Sequence, residues 1–349
     1  MNKKQIKASS VDVMVGLPHL GKGALLRRLE ELGQPALISA NALSRWSMAR
    51  GWREWRGWKW SMLGNARGLT SLSLDSAGFT AMATYGGYPW TIADYAQLAA
   101  AFPFRWWAAL DYCVEPEIAT DREEVLDRIS RTIRANIECR LHGEDAGIAA
   151  NFLPVIQGRL PQDYERCAEA LSLTIERAAI IGVGSMCRRS IHGADGLISV
   201  VDHLDRVLPR GVQLHLFGVK GEAIPFLMPF AHRVASLDSQ AYGVGARVAA
   251  RRQGKSKTDQ FVAEHMTTWL VRQQERFLRP ARYLPVQAPA ALPPVPVDPW
   301  ARAIMRARSE MRDLIASGDL DHDQPVTPWI EQWAADLLEE EGQRCRPIS

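Results

Sequence analysis

The chain lacks most of the features that would declare a function outright. Its five cysteines, Cys113, Cys139, Cys167, Cys187 and Cys345, are scattered and odd in number. No CxxC pair occurs, so neither a disulfide framework nor a zinc ribbon is indicated. No apolar run approaches the length of a membrane span, and the opening MNKKQIKASSVDV has charge without an apolar core. A cytoplasmic protein with no membrane attachment is the expectation. An excess of one charge is also missing: 42 Lys and Arg against 39 Asp and Glu leave a net +3. A polyanionic partner would therefore have to be met by local clusters. The histidines offer little, since His215 and Cys187, both near strand ends, fall two ligands short of a zinc site.

What is present is enough apolar sequence for a real core, 47% hydrophobic with 23% charged in 349 residues. Short apolar, β-branched-rich runs recur with helical patterns between them. They begin at Val11, Pro35, Leu69, Arg105, Asn151, Ala178, Val212 and Arg233. Each is nearly continuous in hydrophobicity, as strands buried on both faces should be. Between them, a capping box Thr120-Asp-Arg-Glu123 leads into Val125, Leu126, Ile129, Ile133 and Ile137 at helical spacing. Pro161 suits a first helical turn ahead of Tyr164, Cys167, Leu171 and Ile175. Eightfold βα alternation predicts an α/β fold, a (β/α)8 barrel, with an open doubly wound sheet as the alternative. The expected divisions are a catalytic barrel over 1–280, a proline-rich linker over 281–300 and a small helical appendage over 301–349.

Four of the runs end on a polar group: LSLDSAGF on Asp75, WAALDYC on Asp111, LPVIQG on Gln157 and RVASLDS on Asp238. One Asp after a strand is ordinarily a helix cap or turn residue. Four in the same relative position point to one site, because a barrel gathers its strand ends on a single rim.

Three other segments stand out. Gly16-Leu-Pro-His-Leu-Gly-Lys-Gly23 has the outline of a phosphate loop, but Gly23 stands where a magnesium-binding Ser or Thr belongs, so it reads as a βα turn. Between the second and third runs, Trp46, Trp52, Trp55, Trp58 and Trp60 alternate with Arg45, Arg50, Arg53, Arg56 and Lys59. An amphipathic helix with its indoles on the barrel explains this pattern, and so do bases stacked on indoles with cations on phosphates. A basic cluster, Arg247, Arg251, Arg252, Lys255 and Lys257, follows Asp238, either as a solvated helix face or as a phosphate contact.

At these residues the chain resembles the tRNA-guanine transglycosylase superfamily, of queuine tRNA-ribosyltransferase type. The family's DSGGF appears as Asp75-Ser-Ala-Gly-Phe79, its FDEC as Leu110-Asp-Tyr-Cys113 and its VQGG as Ile156-Gln-Gly-Arg159. Gly182-Val-Gly-Ser185, Phe217-Gly-Val219 and Leu237-Asp-Ser239 match its later strand ends. The wording is most similar to the DpdA-type branch of phages and bacteria, which places 7-deazaguanines in DNA. The zinc-binding cysteine cluster of the tRNA enzymes is missing, so neither structural zinc nor another cofactor is expected.

The resemblance implies a (β/α)8 enzyme that exchanges guanine for a 7-deazaguanine such as 7-cyano-7-deazaguanine. Asp238 would be the nucleophile at the sugar and Asp75 the acid and base. Asp111 and Gln157 would read the guanine edge, the backbone at Gly182, Gly184 and Gly218 would approach it, and Phe79 and Phe217 would stack on its faces. DNA would be gripped by Arg45, Arg50, Trp52, Arg53, Trp55, Arg56, Trp58, Lys59, Arg247, Arg251 and Arg252. Alternatives are exchange on tRNA, a glycoside hydrolase with the same carboxylates, or an inactive nucleic-acid-binding subunit. A homodimer is compatible with all of them.

Overall fold

In the computed structural model, the described residues are 11–49, 52–284, 296–318 and 327–344. Eleven strands occur among them: β1 Asp12–Leu17, β2 Ala36–Ser39, β3 Ser44–Ala49, β4 Trp52–Trp58, β5 Leu72–Asp75 and β6 Trp107–Ala108. They continue with β7 Phe152–Leu153, β8 Val155–Ile156, β9 Ile180–Val183, β10 Gln213–Leu216 and β11 Val234–Ser239. Nine of them form one parallel sheet in the order β7-β6-β5-β2-β1-β11-β10-β9-β8.

The two ends of that order are one stretch of chain. Residues 152–156 are interrupted only at Pro154, which has no amide to give a ladder. Their first half pairs with β6 and their second with β9. Since Gly182 N–H donates to the Pro154 carbonyl at 2.7 Å, the sheet is continuous there. The ring closes with eight strand positions, the barrel expected from the alternation. The fourth run is shorter than its apolar length suggests, because only Trp107 and Ala108 pair as a strand before the chain leaves for Asp111.

Helices cover the outside of the ring, each burying an apolar stripe against the strands. Ala24–Leu32 packs beside Asp259–Phe277, Ile92–Ala100 beside Arg122–Asp145, and Pro161–Ala170 beside Leu197–Val207. The helix after the fourth strand begins one residue later than the capping box implies. Asp121, not Thr120, is its cap, accepting the amides of Glu123 and Glu124 at 3.1 Å each. One carboxylate there satisfies two of the open amides of the first turn.

The tryptophan-rich segment is not a helix. β3 and β4 form an antiparallel hairpin outside the barrel sheet, inserted between β2 and β5. Trp52, Trp55 and Trp58 are three apart, a helical spacing, and in a regular strand neighbours in that set would face opposite sides. A register shift opposite Ser44 and Trp46, with Gly57 at φ +90°, restores the match and lets Trp55 and Trp58 pack together at 5.0 Å.

Helices Pro299–Ser317 and Thr327–Arg344 pack on each other through Ala303, Ala307, Met311, Ile330, Ala334 and Leu337. Arg312, buried, ties the first of them to Asp127 and Glu123 on the Arg122–Asp145 helix. Residues 285–295 of the proline-rich connector lie outside the described residues.

Candidate active site

Asp75 ends β5 and Asp238 is the next-to-last residue of β11, while Gln157 directly follows β8 and Asp111 lies three residues beyond β6. All four line one cavity of about 170 Å³ at the C-terminal rim, with Phe79, Cys113, Glu115, Gly184, Ser185, Phe217 and Gly218. That is well below the roughly 300–1,000 Å³ of a typical ligand pocket, and it suits one planar heterocycle rather than a nucleotide.

One wall is wired throughout. Asp111 accepts the Ser76 hydroxyl at 2.6 Å on one oxygen and the Gln157 amide on the other. Gln157, fully buried, accepts in turn from Ser185 Oγ at 2.7 Å, and Ser185 Oγ receives the Val114 amide at 2.7 Å. The Tyr88 hydroxyl accepts the Asp111 amide at 3.0 Å and lies 2.8 Å from the Asp111 carbonyl. Burial pushes the Asp111 carboxyl up, and the bonds from Ser76, Gln157 and Tyr88 oppose that shift. Each Asp111 oxygen keeps a second lone pair, so the side chain can accept two neighbouring N–H groups of a ligand. The second N–H of the Gln157 amide is left for a ligand oxygen.

The other wall is sparsely bonded. Asp75 accepts the Ala77 amide at 3.1 Å, and that bond and one from the Ser39 side chain favour its charged form. Burial, then the charges of Asp111 and Asp238, raise its carboxyl from 3.8 to about 7. It therefore titrates near neutrality, as an acid–base group should. One oxygen of Asp238 accepts the Gly218 amide at 2.8 Å and lies 3.4 Å from His215 Nε2. Gly218 presents that amide at φ +68°, and a β-carbon there would run into the Cys187 side chain. Two non-glycine residues also take left-handed backbone at this rim, Ala77 at φ 72° and Ser185 at φ 54°. Such strain concentrates at functional sites.

The glycine-rich strand end divides its work. Gly184 lines the cavity, and a β-carbon on it would overlap the Gln157 amide. Gly182 does not reach the cavity surface: its hydrogen faces the Phe217 ring and Val155, so it makes room for the stacking residue. Phe79, 45% exposed, and Phe217, half-buried, both line the cavity.

Phe79, Cys187 and Gly218 also border a second cleft of about 750 Å³. Lys220, Arg247, Lys257, His19 and Gln240 line it, with the first two turns of the Ala241–Arg252 helix along one side. Asp259 on its floor is committed to capping the helix at Leu25, 3.0 Å away. Arg251 and Arg252 are exposed in the last turn of that helix and do not line the cleft.

The hairpin splits the tryptophan–arginine set. Trp58 is 2% exposed, donates to the Asp94 carbonyl at 2.9 Å and packs on Trp90 at 5.0 Å. It offers no face to a base, which corrects the expectation that it grips nucleic acid. Trp55 is half-buried and donates to Ser44. Arg45, Arg53, Arg56 and Lys59 are exposed. The Arg53 guanidinium lies over the Trp46 ring at 4.4 Å, and Trp46 stacks on Tyr85 at 4.7 Å. Arg50 and the Trp52 side chain lie outside the described residues.

Several residues in or behind the cavity were given no role from the sequence. Ser76, Cys113 and Ser185 sit inside the quoted motifs, where attention goes to the carboxylates. Tyr88 carries no pattern, and Glu115 and His215 look like incidental polar residues. Burial pushes the Cys113 thiol up to about 12, which leaves it inert at neutral pH. His192 packs edge-on against Phe226. Among the described residues, no three His, Cys, Asp or Glu side chains are arranged to hold a metal. None of their helices is long and apolar enough to cross a membrane.

Fold and site define a (β/α)8-barrel protein whose C-terminal rim holds a base-sized, carboxylate-lined cavity. The family model DpdA, DeoxyPurine in DNA protein A, matches residues 62–320, and the chain belongs to that family. A search among curated proteins gave no match.

Proposed function

We propose that the protein is a transglycosylase that replaces guanine in DNA with a 7-deazaguanine, 7-cyano-7-deazaguanine or a derivative. The observation that carries this reading is the convergence of Asp75, Asp111, Gln157 and Asp238 on one cavity, with opposite chemical settings on its two walls. Exchange of a base without cutting the backbone requires displacement at the anomeric carbon. An Asp238 oxygen bonds to C1′ as the C1′–N9 bond breaks, and its electron pair leaves with the guanine. Asp75 supplies a proton to the departing base. It then takes the N9 proton of the incoming base, whose attack on C1′ releases the Asp238 carboxylate. Two displacements retain the sugar configuration.

Asp111 accepts from the N1–H and exocyclic amine of the base, Gln157 donates to its O6, and Phe79 and Phe217 cover its faces. A target in duplex DNA must leave the stack to enter so small a cavity. The neighbouring cleft supplies Lys220, Arg247 and Lys257 for the flanking phosphates, and the exposed Arg45, Arg53, Arg56 and Lys59 of the hairpin extend the basic surface. DNA as the polymer is supported by the family's description, DeoxyPurine in DNA protein A. The test incubates the protein with labelled guanine and either duplex DNA or tRNA. Label should enter DNA, and binding should weaken steeply with salt. Uptake into tRNA with none into DNA would reject the polymer, and uptake into neither would reject the exchange.

A further inference from the structure

We propose that His215 is a positioning residue for Asp238, holding the carboxylate oriented for attack on the sugar. This rests on the reading of Asp238 as nucleophile. His215 is fully buried in β10, boxed by Trp106 at 4.8 Å and Phe217 at 4.5 Å between ring centroids. Its Nδ1 lies 2.8 Å from Ser236 Oγ, and its Nε2 lies 3.4 Å from Asp238 Oδ1. Ser236 and Asp238 are two apart on β11, so both face the same side of the strand, and the imidazole spans them.

The chemistry assigns the tautomer. An ionised carboxylate only accepts, so the nitrogen facing it must carry the proton, and Nδ1 must then accept the Ser236 hydroxyl hydrogen. Nε2 makes no closed hydrogen bond to any described residue, although it is buried. An unsatisfied buried donor is costly and rare. At 3.4 Å the Asp238 contact is looser than a formed N–H···O bond, as is common before substrate binds. It tightens when the carboxylate settles against C1′. In the covalent state the same N–H donates to the ester carbonyl oxygen, and it receives the carboxylate again when the second base attacks. No proton leaves His215 at any step.

The three residues have the composition of a hydrolase triad in reversed order. Ser236 is 1% exposed, does not line the cavity and has its hydroxyl occupied, so it is not a nucleophile. The serine orients the histidine, and the histidine orients the aspartate.

The test measures DNA affinity and the single-turnover rate of covalent adduct formation with duplex DNA. It uses wild type, His215→Phe, His215→Gln and Ser236→Ala. Phenylalanine keeps the ring in its aromatic box but removes the donor. It should slow adduct formation about a hundredfold, the effect of losing one preorganised donor, with DNA affinity within threefold. Glutamine, which restores an N–H near the Nε2 position, should recover about tenfold of that loss. Ser236→Ala should slow the step less, about tenfold, at unchanged affinity. A His215→Phe variant with wild-type adduct rate would reduce His215 to packing and overturn the proposal, as would parallel loss of rate and DNA affinity. If His215→Phe fails to fold, Ser236→Ala decides: a selective loss of rate supports the role, and an unchanged rate overturns it. Wild type forming no adduct would overturn the nucleophile assignment and this role together.

Discussion

Both walls of the cavity carry carboxylates, and they hold them in opposite ways. On the Asp111 wall, carboxylate, amide, two serine hydroxyls and a tyrosine bond one another in a connected network. On the Asp75–Asp238 wall, each carboxylate receives one backbone amide, with the Ser39 hydroxyl also beside Asp75 and His215 near Asp238. A connected network has one geometry, because any movement breaks several bonds at once, and that suits recognition of a fixed pattern of donors and acceptors. A carboxylate held by few bonds can take or give a proton, or form a bond, without first breaking a network. Reading is assigned to the rigid wall and reaction to the open one.

That division is open to direct attack. The largest effect is expected for Asp75→Asn, which should lower exchange by about 10²–10⁴-fold as general acid–base help is lost. The same variant should gain stability relative to wild type as pH rises. The folded-state carboxyl titrates at about 7 rather than 3.8. The folded chain therefore binds the proton more tightly, and its stability contribution is full below about pH 4 and lost as pH climbs through 7. Thermal melts of both proteins from pH 4 to 8 check the sign: the gap should widen toward pH 8. A gap that narrows would mean that Asp75 is not the strained group.

On the rigid wall, Asp111→Ala should lose selectivity as well as rate. It leaves Ser76 and Gln157 without their acceptor, at about 1–3 kcal/mol, and removes the partner of the guanine N–H groups. Competition between guanine and adenine measures this. A variant that turned over slowly but chose as before would move base reading elsewhere.

The hairpin offers a smaller contrast of the same kind. Trp58→Ala should destabilise the fold by about 3–5 kcal/mol, since it empties a buried site against Trp90. Arg53→Ala should leave the melting temperature almost unchanged and weaken DNA binding severalfold, with a shallower salt dependence. Similar effects from the two substitutions would erase the distinction between its packed and presented faces. The smallest effect is expected from Ala77→Gly. It relieves a left-handed alanine at φ 72° and should add about 1 kcal/mol of stability by thermal or urea denaturation. A loss of stability would show that the alanine methyl packs usefully there.

What the sequence made legible follows from how a parallel barrel is built. Its strands are apolar on both faces, so a polar residue that ends an apolar run stands out, and Asp75, Asp111, Gln157 and Asp238 were visible for that reason. Loop closure by residues 152–156 was hidden, because two half-strands read as one run. His215 and Ser236 lie within their strands, where a buried polar residue looks like a satisfied core residue until its partner is seen. The hairpin was obscured by the three-residue spacing of its tryptophans. That spacing mimics a helix and becomes a strand only through a register shift and the φ +90° of Gly57. Tyr88 reaches Asp111 from a loop of no recognisable pattern.

The central claim is that Asp238, on the open wall, forms a bond to the sugar. Protein incubated with guanine-containing duplex DNA, denatured without a competing base and digested to peptides should show a mass shift of one DNA-derived adduct. That adduct should lie on the peptide carrying Asp238, and it should be absent in Asp238→Asn while that variant still binds DNA. An adduct that persists in Asp238→Asn, or maps to another residue, would contradict the account.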